Sequence, residues 1–221
     1  MGVTLSQCID GVDLSEFGEM YQGKVRDSCT TRDGRYVLVV SDRISAFDHV
    51  LREQIPFKGQ VLNQLATYFF ERTSDIIPNH VLAVPDPNVT IARKCTVFPI
   101  EFVVRGYLVG HAWREYKSGK RLLCGNVMPD GMKENERFPA PMLTPSTKAT
   151  EGHDEDISRD EILRQELIDP TIFGRLEEYA MQLFARGTEM AAERGLILVD
   201  TKYEFGMAED GELVLVDEVH T

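Results

Sequence analysis

The 221-residue sequence has no apolar run of membrane-spanning length, and its N-terminus lacks the basic start and apolar stretch of a signal peptide. Basic residues are few: 24 Lys and Arg stand against 36 Asp and Glu, giving a formal net charge of −12. This balance argues against a protein that coats nucleic acid or an anionic membrane. It does not exclude a local pocket for a phosphorylated metabolite, because such a pocket needs only a few cations. We therefore expect small-molecule partners.

Cysteine is also sparse. The four cysteines are widely spaced and form neither a C-x-x-C pair nor the spacing of a metal-binding motif. They are typical of reduced thiols, and we expect a cytoplasmic protein. The sequence has no G-x-S-x-G, no Walker P-loop and no Rossmann glycine fingerprint. The usual signatures of serine hydrolases, P-loop proteins and dinucleotide-binding proteins are therefore missing.

Hydrophobic patterning predicts a β region, one helix and two further strands in the first half of the chain. A β-rich run covers residues 36–42, and apolar residues recur at helical spacing over residues 59–74. Residues 89–98 and 100–104 have the composition of strands, and Pro99 separates them.

Capping residues predict two helices in the second half. Ser158 and Glu161 form a capping box before an apolar run. Asp169 followed by Pro170 supplies an N-cap and a proline in the first turn of a longer helix. Gly195 is a natural stop at the C-terminal end of that helix.

The order of these elements predicts an α+β protein of two lobes, each with an antiparallel sheet. We place the boundary near residues 96–105, so that residues 1–98 form a β-rich lobe and residues 99–221 an α+β lobe. Within the second lobe, the segment 119–157 is rich in glycine, proline and charge, which predicts long loops.

The last 26 residues, LILVDTKYEFGMAEDGELVLVDEVHT, have the pattern of a β-hairpin with unusual charges. Side chains alternate along a strand, so Asp200, Lys202 and Glu204 share one face, while the opposite face, which includes Ile197, is mostly apolar. If Asp210 and Gly211 form a two-residue turn, Glu204 lies directly opposite Asp217.

Two carboxylates placed opposite each other repel, so a cation is expected to offset them. Mg²⁺ shared with nucleotide phosphates would do so, and Glu204 and Asp217 are its candidate ligands. Lys202 could offset the repulsion instead. A solvated charged face of an edge hairpin is the third alternative, and the pattern alone does not separate the three.

Other stretches offer weaker signals for anion binding. Residues 23–26, Gly-Lys-Val-Arg, suit a strand-edge loop whose cations meet phosphate, although surface charge has the same pattern. Arg105 closes an apolar strand and could present its planar fork to a carboxylate or phosphate, or simply face solvent. The SDRISAFD stretch, which includes Ser45 and Asp48, follows a strand, and Lys148 ends a hydroxyl-rich segment.

Taken together, these stretches resemble the SAICAR synthetase (phosphoribosylaminoimidazole-succinocarboxamide synthase) family. The resemblance covers residues 23–221 and rests on seven motifs in order: GKVRD, SDRISAFD, PFKGQVLNQL, PIEFVVRGYLVG, LTPSTKATEGHDEDIS, LILVDTKYEFG and VDEVHT. It implies an N-terminal lobe similar to the small lobe of protein kinases and an ATP-grasp-like C-terminal lobe, with ATP between them. The implied cofactors are ATP and Mg²⁺.

The implied activity is an ATP-dependent ligation in purine biosynthesis. The family joins L-aspartate to the carboxylate of carboxyaminoimidazole ribonucleotide (CAIR), through an acyl phosphate, and releases ADP and phosphate. A kinase-like phosphotransferase and a catalytically impaired Mg-ATP-binding module stay open as alternatives. The oligomeric state also stays open, with a homo-oligomer as one alternative.

The resemblance also implies roles for individual residues. Nucleotide contacts fall on Lys24, Val25, Arg26, Glu101 in the hinge stretch 96–101, Lys148, Glu204 and Asp217, with the last two also holding Mg²⁺. Catalytic contacts to CAIR fall on Arg105, Asp200 and Lys202. The remaining substrate contacts fall on Ser45, Asp48 and His111.

Two departures from the family pattern bear on substrate binding. His111 stands where the family usually has a serine that meets CAIR, and histidine is bulkier. Relatives also continue past D-E-x-x-T with a P-D-x-S-R stretch whose arginine contacts the CAIR phosphate, whereas this sequence ends at Thr221. We accordingly expect weak or absent CAIR binding, with ATP binding better retained.

Overall fold

The protein has a mixed α+β fold, seen in a computed structural model that describes residues 8–46, 49–148 and 155–220. The described residues form two main antiparallel sheets, two small hairpins and four helices. None of the helices in these residues is long and apolar enough to cross a membrane. The predicted α+β class is confirmed.

The first sheet has five antiparallel strands in the order β1-β2-β3-β7-β6. Its strands are β1 (Gly18–Gln22), β2 (Arg26–Thr31), β3 (Arg35–Val40), β6 (Val81–Asp86) and β7 (Val89–Arg93). One face packs on a small apolar core of Leu14, Cys29 and Val39. Helix α1 (Lys58–Thr73) packs against β3 and β6, and Asn63 on this helix accepts a hydrogen bond from Thr90 on β7 at 2.8 Å.

The second sheet follows the order β12-β9-β14-β15, with β13 added to β9 and β8 added to β14. Its strands are β8 (Cys95–Val97), β9 (Ile100–Tyr107), β12 (Arg137–Leu143), β13 (Ser146–Thr147), β14 (Asp200–Ala208) and β15 (Leu213–Val216). Helix α4 (Pro170–Ala192) covers one face, where Phe102, Phe173 and Phe205 are fully buried in the main core. The opposite face of β9 and β14 carries charged side chains.

Short elements complete the fold outside the two sheets. They are the hairpin of β4 (Arg43–Ala46) and β5 (His49–Gln54), the hairpin of β10 (Leu122–Leu123) and β11 (Asn126–Val127), and the helices α2 (Gly110–Lys117) and α3 (Arg159–Arg164). Strand β15 joins the two sheets, because Leu215 donates to the carbonyl of Pro78 at 2.9 Å and accepts from the amide of His80 at 3.1 Å.

The helices predicted from capping residues are confirmed. The Ser158 hydroxyl accepts a hydrogen bond from the Glu161 amide at 3.2 Å and caps α3. The Asp169 carboxylate accepts from the Thr171 amide at 2.8 Å and caps α4. Beyond the end of α4, Gly195 has the positive φ of 68° that favours glycine.

The segment predicted as long loops contains strands, and so does a proline-containing segment for which no element was predicted. Within 119–157 lie β10, β11, β12 and β13, and the Pro85 region belongs to β6. Strands β6 and β12 contain proline, which is rare in strands, so composition alone did not predict them. Proline is tolerated because β6 is an edge strand and because β12 matches β9 only near its two ends, through Arg137 and then Met142 and Leu143.

The predicted register of the terminal hairpin is wrong by one residue. Residues 209–211 form a three-residue loop, in which Gly211 has φ 84° and Ala208 donates to the Glu212 carbonyl at 2.9 Å. Glu204 therefore pairs with Val216 instead of Asp217. The strand also begins only at Asp200, so Ile197, predicted on the core face, is 67% exposed.

Candidate functional site

A cavity of about 670 Å³ lies between the first sheet and the charged face of the second. The first sheet contributes residues of β1, β2 and β3 and the turn 23–26, and the second contributes β8, β9, β14 and β15. Six basic side chains line it, against three acidic ones: Lys24, Arg26, Arg93, Lys94, Lys148 and Lys202, against Glu101, Glu204 and Asp217. The cavity is thus cation-rich in a chain whose net charge is −12.

Lys202 is the centre of the charge cluster in this cavity. Its Nζ donates to Glu204 Oε1 at 2.7 Å and to Glu101 Oε1 at 2.8 Å, and lies 3.9 Å from Asp217 Oδ2. Burial by itself would lower the pKa of Lys202, but the three carboxylates outweigh it and raise that pKa above its usual range. Lys202 is therefore held as a fully charged ammonium.

Two further cations complete the cluster. Lys148 contacts the Glu204 carboxylate, and Arg26 Nη1 lies 2.5 Å from Asp217 Oδ1. Burial would raise the pKa of Asp217, but Arg26 and then Lys202 outweigh it and lower that pKa. We call Glu101, Glu204, Asp217, Lys202, Lys148 and Arg26 the Lys202 cluster. Its three carboxylates are balanced by three cations.

The backbone explains why these groups meet although the predicted register is wrong. Lys202 and Glu204 follow each other on one face of β14, as predicted, and the opposite face buries Tyr203 and Phe205 completely. On β9, side chains alternate between the two faces in the same way, and Glu101 lies on the face that lines the cavity. Asp217 lies just beyond β15 with φ 66°, and this left-handed turn accompanies the return of its side chain to the cavity.

The donor chemistry of the cluster fits a hard divalent cation. Glu204 and Asp217 offer carboxylate oxygens to one open cavity, and Mg²⁺ is commonly held by one or two carboxylates together with phosphates and water. Within the described residues no group of three or more His, Cys, Asp or Glu side chains is arranged as a complete metal site. The protein would therefore supply only part of the coordination shell.

The turn 23–26 forms one wall of the cavity. The Gly23 amide donates to the Arg26 carbonyl at 2.8 Å, and a Cβ at Gly23 would lie only 2.8 Å from that same oxygen. A side chain at this position would force the turn to open. Glycine therefore allows the turn in which Lys24, Val25 and Arg26 line the cavity; their contact with a nucleotide stays a prediction.

Arg105, Asp200 and His111 form a second group, which does not line the cavity. Arg105 and Asp200 are neighbours on β9 and β14, with Nη1 and Oδ2 2.9 Å apart, and Arg105 Nε also donates to Thr144 Oγ1 at 2.9 Å. His111 Nε2 lies 2.6 Å from Asp156 Oδ2.

The side chain of Cys124 is influenced by both ion pairs, Arg105 with Asp200 and His111 with Asp156. Burial raises the pKa of the Cys124 thiol to about 12, Asp156 adds to the effect and Arg105 opposes it. Charges from both pairs therefore act on one side chain. Most predicted site residues therefore fall into the Lys202 cluster with the 23–26 turn, or into this second group, in which Arg105 and Asp200 lie on the second sheet and His111 lies on α2.

The SDRISAFD stretch is only partly placed. Ser45 lies half-buried on β4 opposite Val50, away from the cavity lining, and Asp48 lies outside the described residues. Arg43 from the same stretch was not predicted as a site residue. It is 7% exposed and pairs with Asp27 on β2.

Several cavity residues were missed because they come from strands that the sequence placed only roughly. Tyr21, Ser28 and Leu38 line the cavity from the first sheet, and Arg93 and Lys94 line it from the end of β7. Period-two alternation through Arg26, Ser28 and Thr30 was the available signal. This alternation identifies cavity-facing residues only when the first and last residues of β2 are known.

The fold and the cavity thus define an α+β protein with a cation-rich site between two antiparallel sheets. A family model described as SAICAR synthetase matches residues 19–221. The phosphoribosylaminoimidazole-succinocarboxamide synthases of Bacteroides thetaiotaomicron and Flavobacterium psychrophilum are 58% and 56% identical to the chain over 203 residues. Each alignment covers 91% of this chain and 64% of the relative, so the chain spans less than two thirds of their length.

Solved structures give the same result for the fold. A SAICAR synthase from Saccharomyces cerevisiae, complexed with SAICAR, matches with a TM-score of 0.85 and 34% identity, covering 96% of this chain and 77% of that one. A SAICAR synthetase in complex with ADP matches with a TM-score of 0.77 and 27% identity, covering 91% and 80%. The chain belongs to the SAICAR synthetase family.

Proposed function

We propose that the protein is a cytoplasmic ATP-dependent ligase that joins L-aspartate to the carboxylate of CAIR, giving SAICAR, ADP and phosphate. The Lys202 cluster carries this proposal, because it places three cations and two metal-competent carboxylates in one cavity of about 670 Å³. Membership of the family supports it, as do the solved relatives described with SAICAR and with ADP.

The cavity is assigned to the nucleotide. Lys24, Val25, Arg26 and Lys148 face the phosphates, and Glu101 lies at the end of the hinge stretch 96–101 that borders the adenine. Glu204 and Asp217 would hold Mg²⁺, which neutralises phosphate charge when bound. In this arrangement Lys148 and Arg26 exchange their present carboxylate partners for phosphate oxygens.

The second group is assigned to the other substrates. Arg105 and Asp200 address CAIR, together with Lys202, which lies on the same strand as Asp200 and reaches into the cavity. His111 offers a ring nitrogen to an anionic group of CAIR in place of the usual serine. Ser45 and Asp48 contribute to the CAIR and aspartate pocket.

The chemistry needs positioning and charge neutralisation more than covalent help from the protein. A CAIR carboxylate oxygen attacks the γ-phosphorus of ATP, the bond to the β-phosphate oxygen breaks, and ADP leaves. The aspartate amine then attacks the acyl carbon of the resulting acyl phosphate, expels phosphate and loses a proton. Lys202, held charged by its carboxylate neighbours, lies beside this path as a fixed positive charge.

The lobe assignment is part of the same proposal. Residues 1–98 would form the kinase-like small lobe and residues 99–221 the ATP-grasp-like lobe. The order of the sheets supports it, since the first sheet uses only strands up to Arg93. Strand β8 (Cys95–Val97), which precedes the proposed boundary, pairs with β14 of the second sheet.

Release of ADP and phosphate, measured with CAIR and aspartate each omitted in turn, tests the proposed function. The ligase requires both substrates for the amide product. A kinase-like phosphotransferase would give a stable phosphorylated product without aspartate, and an impaired module would bind Mg-ATP without turnover. Either result would contradict the proposal.

A further inference from the structure

We propose that Arg43 is a positioning residue for the nucleotide phosphates. It binds the carbonyls of the 23–26 turn from the side opposite the cavity, so that the backbone amides of Lys24 and Val25 face the cavity. This inference rests on the proposed function, because it takes the cavity to be the nucleotide site.

The guanidinium of Arg43 binds two successive carbonyls of the turn. Its Nε donates to the Lys24 carbonyl at 3.0 Å and its Nη2 to the Gly23 carbonyl at 3.0 Å. The same Nη2 donates to Asp27 Oδ1 at 2.8 Å, and Nη1 contacts the Asp10 carbonyl. The side chain is buried, so these contacts replace water.

Arg43 lies on the face of the first sheet opposite the cavity. Along β2, Arg26 and Ser28 line the cavity, whereas Asp27 between them is 1% exposed and pairs with Arg43. Alternation along a strand therefore puts Asp27 and Arg43 on the back of the sheet. The carbonyls of Gly23 and Lys24, bound to Arg43, also point to the back.

Peptide planarity then fixes the direction of the next amides. In a trans peptide the carbonyl of one residue and the N–H of the following residue point in opposite directions, and the described residues contain no cis peptide bond. The N–H groups of Lys24 and Val25 are therefore directed toward the cavity side. Successive amides pointing into a concavity are a general anion-binding arrangement.

The back of the turn is anchored at its third residue too. The Val25 carbonyl accepts from the Ser41 amide at 3.0 Å and from the Ser41 hydroxyl at 2.8 Å. Asp27 is held in place by the Val12 amide, which donates to its Oδ2 at 2.9 Å. All three carbonyls, from Gly23 to Val25, are thus bound by residues 41 and 43, which fixes the orientation of the turn.

A simple ion pair with Asp27 would not require arginine. The guanidinium has donors in a fixed planar fork and uses them on two carbonyls in addition to the carboxylate. Lysine would keep the charge opposite Asp27, but its ammonium cannot reproduce this fork. The pair of variants Arg43→Lys and Arg43→Met therefore separates the charge of Arg43 from its hold on the turn.

Calorimetric titration of the full chain with ADP and with adenosine, in the presence of Mg²⁺, tests the proposal. ADP carries phosphates and adenosine does not, so a turn that faces phosphate affects only ADP. We expect both Arg43 variants to bind ADP about 10-fold to 100-fold more weakly, the effect of losing one or more hydrogen bonds to a charged group. Adenosine affinity should stay unchanged.

Arg35→Met is the matched control, because Arg35 lies on the neighbouring strand β3, is exposed, and forms its ion pair with Asp33 among the described residues. It should bind ADP like the parent chain. Unfolding midpoints check that Arg43→Lys is folded. Unchanged ADP affinity in Arg43→Lys, or an equal loss for ADP and adenosine, would overturn the role of Arg43. Failure of the parent chain to bind ADP would instead overturn the proposed function, and this inference with it.

Discussion

The two arginines Arg43 and Arg26 each pair with an aspartate beside the same turn, but their surroundings differ. Arg43 and Asp27 have side chains 8% and 1% exposed, and backbone groups bind both of them. Arg26 and Asp217 have side chains 28% and 18% exposed and border an open cavity. The first pair is enclosed by the fold, whereas the second can be reached by a ligand.

The difference in exposure separates an ion pair that stabilises the fold from one that is available for ligand binding. The bonds of Arg43 go to backbone carbonyls that no ligand can replace without unfolding the turn. The bonds of the Lys202 cluster join side chains to one another, so phosphate and a metal ion can take over either partner. Charge balance keeps the cluster stable until a ligand with both charges enters.

The largest expected effect is on stability, from removing one partner of the enclosed pair. Asp27→Ala leaves the Arg43 charge buried without its carboxylate, and we expect the free energy of unfolding to fall by about 3–5 kcal/mol. Asp217→Ala at the open pair should cost only about 1 kcal/mol. Urea denaturation of both variants checks the comparison, and equal losses would contradict it.

The next largest effect concerns ligand binding at the open cluster. Glu204→Gln removes a metal-competent carboxylate that is 5% exposed and contacts both Lys148 and Lys202. We expect Mg²⁺-dependent ADP affinity to fall about 100-fold, roughly the loss of one strong charge contact. Glu212→Gln, at the exposed pair with Arg93, is the control. Similar ADP affinities of the two variants in calorimetry would refute the assignment of Glu204.

Buried His80 predicts a stability loss in mild acid. Burial, followed by Arg26 and Arg93, lowers the pKa of His80 to about 4, below the value of about 6.5 of an unfolded chain. As the pH falls below about 6.5 the unfolded state takes up the proton first, so stability decreases until about pH 4. Between pH 7.5 and 5 we expect a loss of about 2 kcal/mol from His80.

His80→Gln tests this linkage, because glutamine does not titrate. The variant should lose about 2 kcal/mol less than the parent between pH 7.5 and 5 in urea denaturation. His49→Asn is the control, since His49 is exposed on β5. An unchanged pH dependence in His80→Gln would contradict the assignment.

The smallest expected effect comes from the turn itself. Gly23→Ala places a Cβ 2.8 Å from the Arg26 carbonyl, so the turn must shift and ADP affinity should fall about tenfold. Gly174→Ala is the control, because a Cβ at Gly174 in helix α4 meets nothing within 4 Å. ADP titration that shows both variants equal to the parent would indicate that the turn does not contact phosphate.

The elements whose signals are local are predictable from the sequence. The caps at Ser158 and Asp169 and the alternation of Lys202 and Glu204 depend only on near neighbours, and the structure confirms them. The hairpin register depended on loop length, and the same Asp210 and Gly211 pair fits a two-residue or a three-residue loop. The loop in the structure has three residues, so Glu204 pairs with Val216 and not with Asp217.

Other features arise only from tertiary contacts. Arg43 is separated from Gly23 by 20 positions, and nothing in its own neighbourhood shows that it lies behind the turn. The pairing of Arg26 with Asp217 likewise depends on how β15 joins the two sheets. Residue types could suggest a phosphate site, but the division into an enclosed pair and an open cluster required the fold.

Binding of Mn²⁺, used as a spectroscopic substitute for Mg²⁺, tests this division most directly when measured with and without ADP. In the free protein the three carboxylates of the Lys202 cluster are already balanced by three cations. We expect weak Mn²⁺ binding to the protein alone and binding at least about tenfold tighter when ADP is present. Equal Mn²⁺ affinity with and without ADP would contradict it.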